Sequence, residues 1–311
     1  MSARDRIRET NPGFYERYSM LEDTDEFWEF IIRPLRQSIR VNTLKAPLDV
    51  VVERLEEEFE LEPVPWVREG FFINVDNLAK VPEHGLGLIF GQEASSMIPP
   101  VVLDPKPGEL VLDVAAAPGS KTGQIAQYME NKGCIIANDP KLSRANVLIA
   151  NLNRMGVLIA RVTTKDGVYF ARFEKAFDRV LLDAPCSSVG MIRKSPKFLE
   201  SWRLRGVIKY MKVQKRLILA AYQALRPGGT LVYSTCTIDP LENEEVVDYL
   251  LRKTDARLER INLPVKTSEP VLEWEGKTYS EELRKALRIH PSDNDTEAFF
   301  IAKIAKPGGG A

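Results

Sequence analysis

Between residues 109 and 240 the chain returns repeatedly to one pattern: a short apolar run, an acidic or small-residue break, then a helix-like segment. "ELVLDVAAA", "CIIANDP", "LIARVTTKD", "FDRVLLDAP" and "TLVYSTCTI" read as strands. "GQIAQYMENKG" reads as a helix closed by Gly133, and "SRANVLIANLNRMG", with apolar residues three and four apart, as one closed by Gly156. Strands that alternate with helices lie parallel, since each return must cross over the sheet, and both sheet faces are then covered. The segment "RPGG" is expected as a turn, "NEEVVDYLLRKT" as a further helix and "EAFFIAKI" as a final strand. The expected class is therefore α/β.

The first 75 residues look different. "SIRVNTL" and "GFFINV" are strand candidates, and "PLDVVVERLEEEFE" is a helix begun by Pro47. We read a small α+β domain over residues 1–75, then a larger unit over 76–311 in which residues 76–108 act as a connector with glycine-marked turns. The tail "KPGGGA" is expected to be disordered. With 311 residues and 44% hydrophobic content, the chain can bury a substantial core. It has no run of ~18 apolar residues that would span a membrane, and its charged N-terminus lacks the apolar stretch of a signal peptide. Three cysteines at irregular spacing form no disulfide framework, and two histidines leave little for a metal site. The expectation is a cytoplasmic, metal-free protein with nothing in the sequence that demands more than a monomer.

In "DVAAAPGSKTGQ" a strand ends at Asp113 and a helix begins near Lys121. Small residues let backbone N–H groups approach a ligand, and a helix N-terminus favours negative groups. A nucleoside triphosphate loop needs G-x-x-x-x-G-K-[ST], but here Ser120 separates Gly119 from Lys121. The dinucleotide fingerprint G-x-G-x-x-G is missing as well. What remains is a nucleoside ligand carrying no phosphate, S-adenosylmethionine. Asp139 follows Gly119 by 20 residues, where a carboxylate grips ribose hydroxyls in this architecture. Asp166 ends the third apolar run, in reach of an adenine amino group, and Asp183 ends the fourth. A single such aspartate is an ordinary turn residue or helix cap. Four at successive strand ends line one crevice.

Cys186, in "LLDAPCSSVG", and Cys236, in "VYSTCTIDPLENEE", stand at the ends of the fourth and fifth strands, which are expected to be neighbours. Two small residues filling strand ends would look the same; Cys134 has no such neighbours and reads as core. Thiols beside a methyl donor point to one difficult reaction. Carbon 5 of cytosine is too poor a nucleophile to take a methyl group directly. A thiolate added at carbon 6 makes carbon 5 enamine-like, an acid near N3 stabilises the developing charge, and a base must then remove the carbon 5 proton. Asp183, Cys186 and Cys236 supply these groups, and the residues alone do not say which thiol attacks.

"DVAAAPGSKT", "LLDAPCSSVG" and "YSTCTIDPLENE" together resemble the RNA cytosine-5 methyltransferases of the Nop2/Sun family, RsmB- and RsmF-like proteins and archaeal tRNA enzymes among them. "SIRVNTLK" and "GQEASSM" extend the likeness, which runs from about residue 36 to 303. The resemblance implies a class I S-adenosylmethionine-dependent methyltransferase fold, a mostly parallel seven-stranded sheet with "EAFFIAKI" antiparallel. It also implies an RNA-recognition-like N-terminal unit. It makes Cys236 the nucleophile and gives Cys186 a part in proton removal or release of RNA. Asp183 would contact the cytosine and Lys121 would help position it. It implies cofactor contacts from Ala115, Ala116, Ala117, Pro118, Gly119, Ser120, Lys121, Asp139, Asp166 and Asp183, with Arg144 a further member.

The RNA partner is expected to be tRNA, with ribosomal RNA as the alternative. The net charge of −1 does not announce it, but Arg193, Lys194, Lys197, Arg203, Arg205, Lys209, Lys212, Lys215 and Arg216 face only one acid, Glu200, in their stretch. Phe198, Trp202 and Tyr210 interleave them, as suits phosphates and bases, although a solvated helix face reads the same way. The N-terminal unit lacks an aromatic recognition consensus, so Arg36, Arg40 and Lys45 are its expected RNA contacts. A non-catalytic RNA-binding assembly factor would share the fold, but the full set Lys121, Asp183, Cys186 and Cys236 weighs against it. A methyltransferase for proteins or small molecules would have no need of paired thiols.

Overall fold

The computed structural model describes residues 1–308. A small antiparallel sheet comprises β1 (Ser38–Val41), β2 (Leu61–Pro63), β3 (Gly70–Ile73) and β4 (Ile89–Gly91), in the order β2-β3-β1-β4. A helix (Leu48–Glu56) links β1 to β2 and another (Pro82–Leu86) precedes β4. Strand, helix, strand, strand, helix, strand is the topology of the RNA-recognition-like unit implied by the resemblance. The boundary expected at residue 75 cuts this unit: its second helix and β4 come from the segment read as a connector.

Helices Ala3–Thr10, Pro12–Tyr18 and Asp25–Ile32 dock on the large unit. The Asn11 amide donates to the carbonyls of Leu199 and Trp202 at 2.8 and 3.0 Å, and Arg17 pairs with the buried Asp239 at 2.6 Å. Phe14 and Tyr18 meet the Trp202 ring edge-on, so Trp202 is a core residue and is not free to stack on a base.

In the large sheet β5 (Leu110–Asp113), β6 (Cys134–Asn138), β7 (Ala160–Thr163), β8 (Phe177–Asp183) and β9 (Leu225–Thr235) run parallel in the order β7-β6-β5-β8-β9. Beyond them come β10 (Arg257–Glu259), a separate ribbon of β11 (Glu273–Trp274) and β12 (Lys277–Thr278), then β13 (Leu287–Ile289) and β14 (Phe299–Ala305). As expected, β14 lies antiparallel along β9. Its outer edge is shared: β10 pairs with Lys303–Ala305 and β13 with Phe299–Ile301. Eight strands thus fill seven positions. Successive side chains on a strand point to opposite faces: Leu112, Val180, Leu182, Leu231 and Tyr233 enter one core layer, while Val111, Leu181 and Val232 enter the other. Burying each contributes about 2 kcal/mol, which fixes the register and with it the strand tips.

"RPGG" is no free turn. It lies within β9, where Gly228, at φ 75°, donates its N–H to the Lys306 carbonyl at 2.9 Å, and the pairing with β8 shifts register between Phe177 and Arg179. Of the tail expected to be disordered, Lys306 is anchored by its ammonium on the carbonyls of Tyr222 and Leu225. Residues 309–311 lie outside the described residues.

The small sheet is buried on both faces. Ile39, Val41, Phe71, Ile73 and Ile89 pack against Val51 and Leu55 of its first helix. Ser38, Arg40, Phe72 and Phe90 occupy the other face, the one on which RNA-recognition sheets stack bases. Here Phe72 and Phe90 belong to the core layer of Ala126, Leu148 and Met155. Arg40 is fully buried; it donates to Gln92 Oε1 at 2.9 Å, to Gln127 Oε1 and to the Ser120 carbonyl at 3.3 Å. Of the expected RNA contacts of this unit, Arg40 is corrected, while Arg36 and Lys45 stay at the surface. Arg40 is an internal tie, Arg36 pairs with Glu62 over the Phe72 ring, and Lys45 donates to the Leu86 carbonyl at 2.7 Å.

Candidate active site

Strand β5 ends at Asp113 and the chain turns through Ala115–Gly119 into the helix Ser120–Tyr128. Gly119 has φ 107°, a left-handed conformation, and a Cβ there would stand 2.9 Å from Leu148 Cδ1. Glycine is thus required by the backbone conformation, while the Leu148 methyl at this distance could shift. Gly119 sits at the cap position with no side chain to offer, so the first-turn N–H groups are left for a ligand. Thr122 Oγ1 donates to Asp113 Oδ2 at 2.7 Å, tying the helix start to the strand. Burial pushes the Asp113 carboxyl up to about 7, and its Oδ1 has no partner.

Asp139 directly follows β6 and is buried. Its Oδ1 accepts from Lys141 N at 3.0 Å and its Oδ2 from Arg144 Nε at 2.9 Å, while Arg144 Nη2 reaches the Ala117 carbonyl at 2.7 Å. Arg144 thereby links the loop to the second carboxylate. Asp166 lies past the end of β7, exposed, and caps the turn Gly167–Arg172 by accepting from Val168 N at 3.1 Å. A loop of uncapped N–H groups with two carboxylates at adjoining strand ends suits a ligand with an anionic end, ribose hydroxyls and an adenine amino group. The residues therefore fit S-adenosylmethionine.

Asp183 ends β8, directly opposite Ser234 of β9. Its Oδ2 accepts from Lys121 Nζ at 2.7 Å and its Oδ1 from Ser234 Oγ at 2.8 Å, which fixes the plane of the carboxylate. Lys121 also donates to Ser96 Oγ at 2.7 Å. Burial disfavours the Lys121 ammonium, but Asp183 more than offsets it and holds the group above the ordinary lysine range, with Cys236 and Asp113 adding to the effect. Cys186 and Cys236 lie just beyond the same two strands, their sulfurs 3.3 Å apart. Both are free thiols: Cys186 is buried and Cys236 is half-buried.

The surroundings of the two thiols differ in sign. Lys121 and Lys194 both have their charged form favoured by Cys236, and Lys194 pairs with Glu297. On the other side, the hydrogen bond with Cys236 and burial push the Cys186 thiol up, and the nearby charges of Cys236 and Glu242 push it further. Glu242 is itself raised to about 8 by burial, against hydrogen bonds from Ser187 and Gln214. Of the residues singled out in the sequence, the structure brings Lys121, Asp183, Cys186 and Cys236 into one cluster. Ser96, Ser234 and Lys194 complete it, and Glu242 lies behind it, bonded to the Ser187 loop. Ser96 falls in "GQEASSM" and Ser234 in "YSTCTIDPLENE", so both quoted segments held the signal.

Parallel strands in this order, with ligand groups gathered at their carboxyl ends, define a class I S-adenosylmethionine-dependent methyltransferase. Within that class, the chain belongs to the RsmB/F family of RNA methyltransferases. The family model described as 16S rRNA methyltransferase RsmB/F matches residues 100–305, and that for the N-terminal domain of 16S rRNA methyltransferase RsmF matches residues 11–94. The chain is 66% identical to the tRNA (cytosine(49)-C(5))-methyltransferase of Pyrococcus abyssi, over 99% of this chain and 100% of that protein. It is 44% identical to ribosomal RNA small subunit methyltransferase F of Shewanella amazonensis, over 91% of this chain but only 60% of that longer protein. A crystal structure of a methyltransferase homolog protein from Pyrococcus horikoshii superposes with a TM-score of 0.85 at 37% identity, over 98% of each chain. NSun6 from Pyrococcus horikoshii with SFG shares the fold at a TM-score of 0.80 and 24% identity, over 98% of this chain and 97% of that one.

Proposed function

We propose that this protein forms 5-methylcytosine in tRNA from S-adenosylmethionine, through a transient bond between Cys236 and carbon 6 of the cytosine. The observation that carries this reading is the pair of thiols, 3.3 Å apart, beside the Lys121–Asp183 ion pair. A target base held in a stack must first be turned out to reach them. Addition of Cys236 Sγ to carbon 6 drives electrons toward N3, where the Lys121 ammonium supplies the compensating positive charge, while the Asp183 carboxylate is an acceptor for the exocyclic amino group of the ring. When bound, S-adenosylmethionine supplies an electrophilic methyl group, which the enamine-like carbon 5 is nucleophilic enough to take. The carbon 5 proton then passes to a base, the C–H electron pair forms the 5,6 double bond, and the S–C6 pair returns to sulfur. The hydrogen bond with Cys236 and burial push the Cys186 thiol up and keep it protonated, which supports the half-buried Cys236 as the attacking group, with Cys186 as the S–H neighbour that stabilises the departing sulfur.

The tRNA target is supported by the full-length likeness to the Pyrococcus abyssi enzyme. Ribosomal RNA is a second reading, favoured by the methyltransferase F relatives, which extend well beyond the matched region. Bisulfite sequencing of both RNAs after incubation with protein and donor separates the two: a protected cytosine is expected in tRNA, and protection confined to ribosomal RNA would move the target. Cys236→Ala is expected to abolish transfer while still binding donor; methylation by that variant would remove its assigned role. Cys186→Ala is expected to hold RNA as a covalent adduct through Cys236.

A further inference from the structure

Cys186 is carried by the short loop that leaves β8, and each residue flanking it is pinned from below. The Pro185 carbonyl accepts from Gln214 Nε2 at 2.8 Å. Ser187 N donates to Glu242 Oε1 at 2.9 Å, and the Ser187 hydroxyl donates to Glu242 Oε2. The same Gln214 nitrogen reaches Glu242 Oε1 at 3.1 Å, which closes the clamp. Glu242 and Gln214 are both fully buried, and neither touches a thiol directly. A second tie lies beyond the loop, where Gly190 N donates to the Cys236 carbonyl at 3.0 Å. Here a Cβ on residue 190 would come within 3.1 Å of that oxygen. The two strand ends are thereby stitched together around the sulfurs.

We propose that Glu242, with Gln214, is a positioning residue that sets the Cys186 sulfur against Cys236, and that its loss uncouples methyl transfer from release of the RNA. The hydrogen bond with Cys236 and burial also favour the protonated thiol at Cys186, which is the form that can donate to a departing sulfur. Attack depends on Cys236, Asp183 and Lys121, none of which the clamp contacts, so the first methyl transfer should survive its removal. A misplaced second thiol should slow only the steps after it.

This inference rests on the release role given to Cys186 above, and the experiment separates the two. Glu242→Gln, Cys186→Ala and the double variant are compared in single-turnover and multiple-turnover methylation, with RNA adducts counted on denaturing gels. Glu242→Gln is expected to keep single-turnover transfer within about threefold, to lose about 10- to 100-fold in turnover, and to accumulate adduct. Adding it to Cys186→Ala should cost nothing further, since both act through one sulfur. Equal losses in the two assays without adduct, while Cys186→Ala does trap RNA, would overturn the proposal. Absence of adduct from Cys186→Ala would instead overturn the release role itself. Should Glu242→Gln fail to fold, Ser187→Ala removes one tie of the same clamp and is expected to accumulate adduct to a lesser degree; none would again overturn the proposal.

Discussion

Lys121 is a buried ammonium with two fixed acceptors, Ser96 Oγ and Asp183 Oδ2, and it faces the thiol pair. Lys121→Met keeps the length of the side chain but leaves Asp183 without its cation. The carboxylate can then turn, and the site loses positive potential where negative charge must develop. We expect methyl transfer to fall by at least ~100-fold, measured as methyl incorporation, with the fold retained. The buried carboxyls give a second prediction. Burial raises Asp113 to about 7 and Glu242 to about 8, so the folded protein holds protons that the unfolded chain releases near pH 4. Stability from both groups is present at low pH and is lost as pH rises to those values, with a slope of up to ~1.4 kcal/mol per pH unit for each proton. Urea unfolding midpoints should decline between about pH 5 and about pH 8, and Glu242→Gln should flatten the upper part of that decline. At this scale the sequence was informative where chemistry is rare: a cysteine or aspartate at a strand end stands out. Glu242 and Gln214 are ordinary residues, and only tertiary contact gives them a task.

The small sheet shows how an element can keep its topology and change its use. Two of its four strands and the helix begun by Pro47 were legible in local patterns, whereas β2, β4 and the strand order were not. Nor was the fate of the open face, because Arg40 meets Gln92 and Gln127, which lie 52 and 87 residues along the chain. A basic residue on a short strand looks like an RNA contact until those partners are in place. The same lack of long-range information put the boundary at residue 75, before a fourth strand of only three residues. Arg40→Met should therefore act on stability first. Removing the guanidinium leaves Gln92, Gln127 and the Ser120 carbonyl short of a donor, at a cost of about 3 kcal/mol in denaturant unfolding. It should also weaken donor binding, since Ser120 begins the helix under the glycine loop. A large loss of RNA affinity with unchanged stability would instead mean that this face is reached by RNA.

For the whole molecule, a net charge of −1 hides an uneven surface. The basic stretch noted in the sequence divides by function once folded. Arg193 is buried on the carbonyls of Thr296, Arg33 and Pro34, while Lys194 and Lys215 are paired with Glu297 and Glu245. Lys197, Arg203, Arg205, Lys209, Lys212 and Arg216 remain exposed, and among the described residues none is in an ion pair; of these, Arg205, Lys209, Lys212 and Arg216 lie on the helix Leu204–Ala224. Their spacing of four, three and four residues sets them on a single helical face, and the buried face of the same helix carries Gln214 of the thiol clamp. This stripe lies on the solvent face of that helix, opposite Gln214, and offers a row of exposed cations to the phosphates of an RNA. Binding through phosphates releases counterions, so the logarithm of affinity falls linearly with the logarithm of salt concentration. The double variant Lys209→Ala, Lys212→Ala should lower the steepness of that line by about two for tRNA, while donor affinity stays unchanged. An unaltered slope would exclude the stripe from the RNA interface and leave these residues as a solvated helix face.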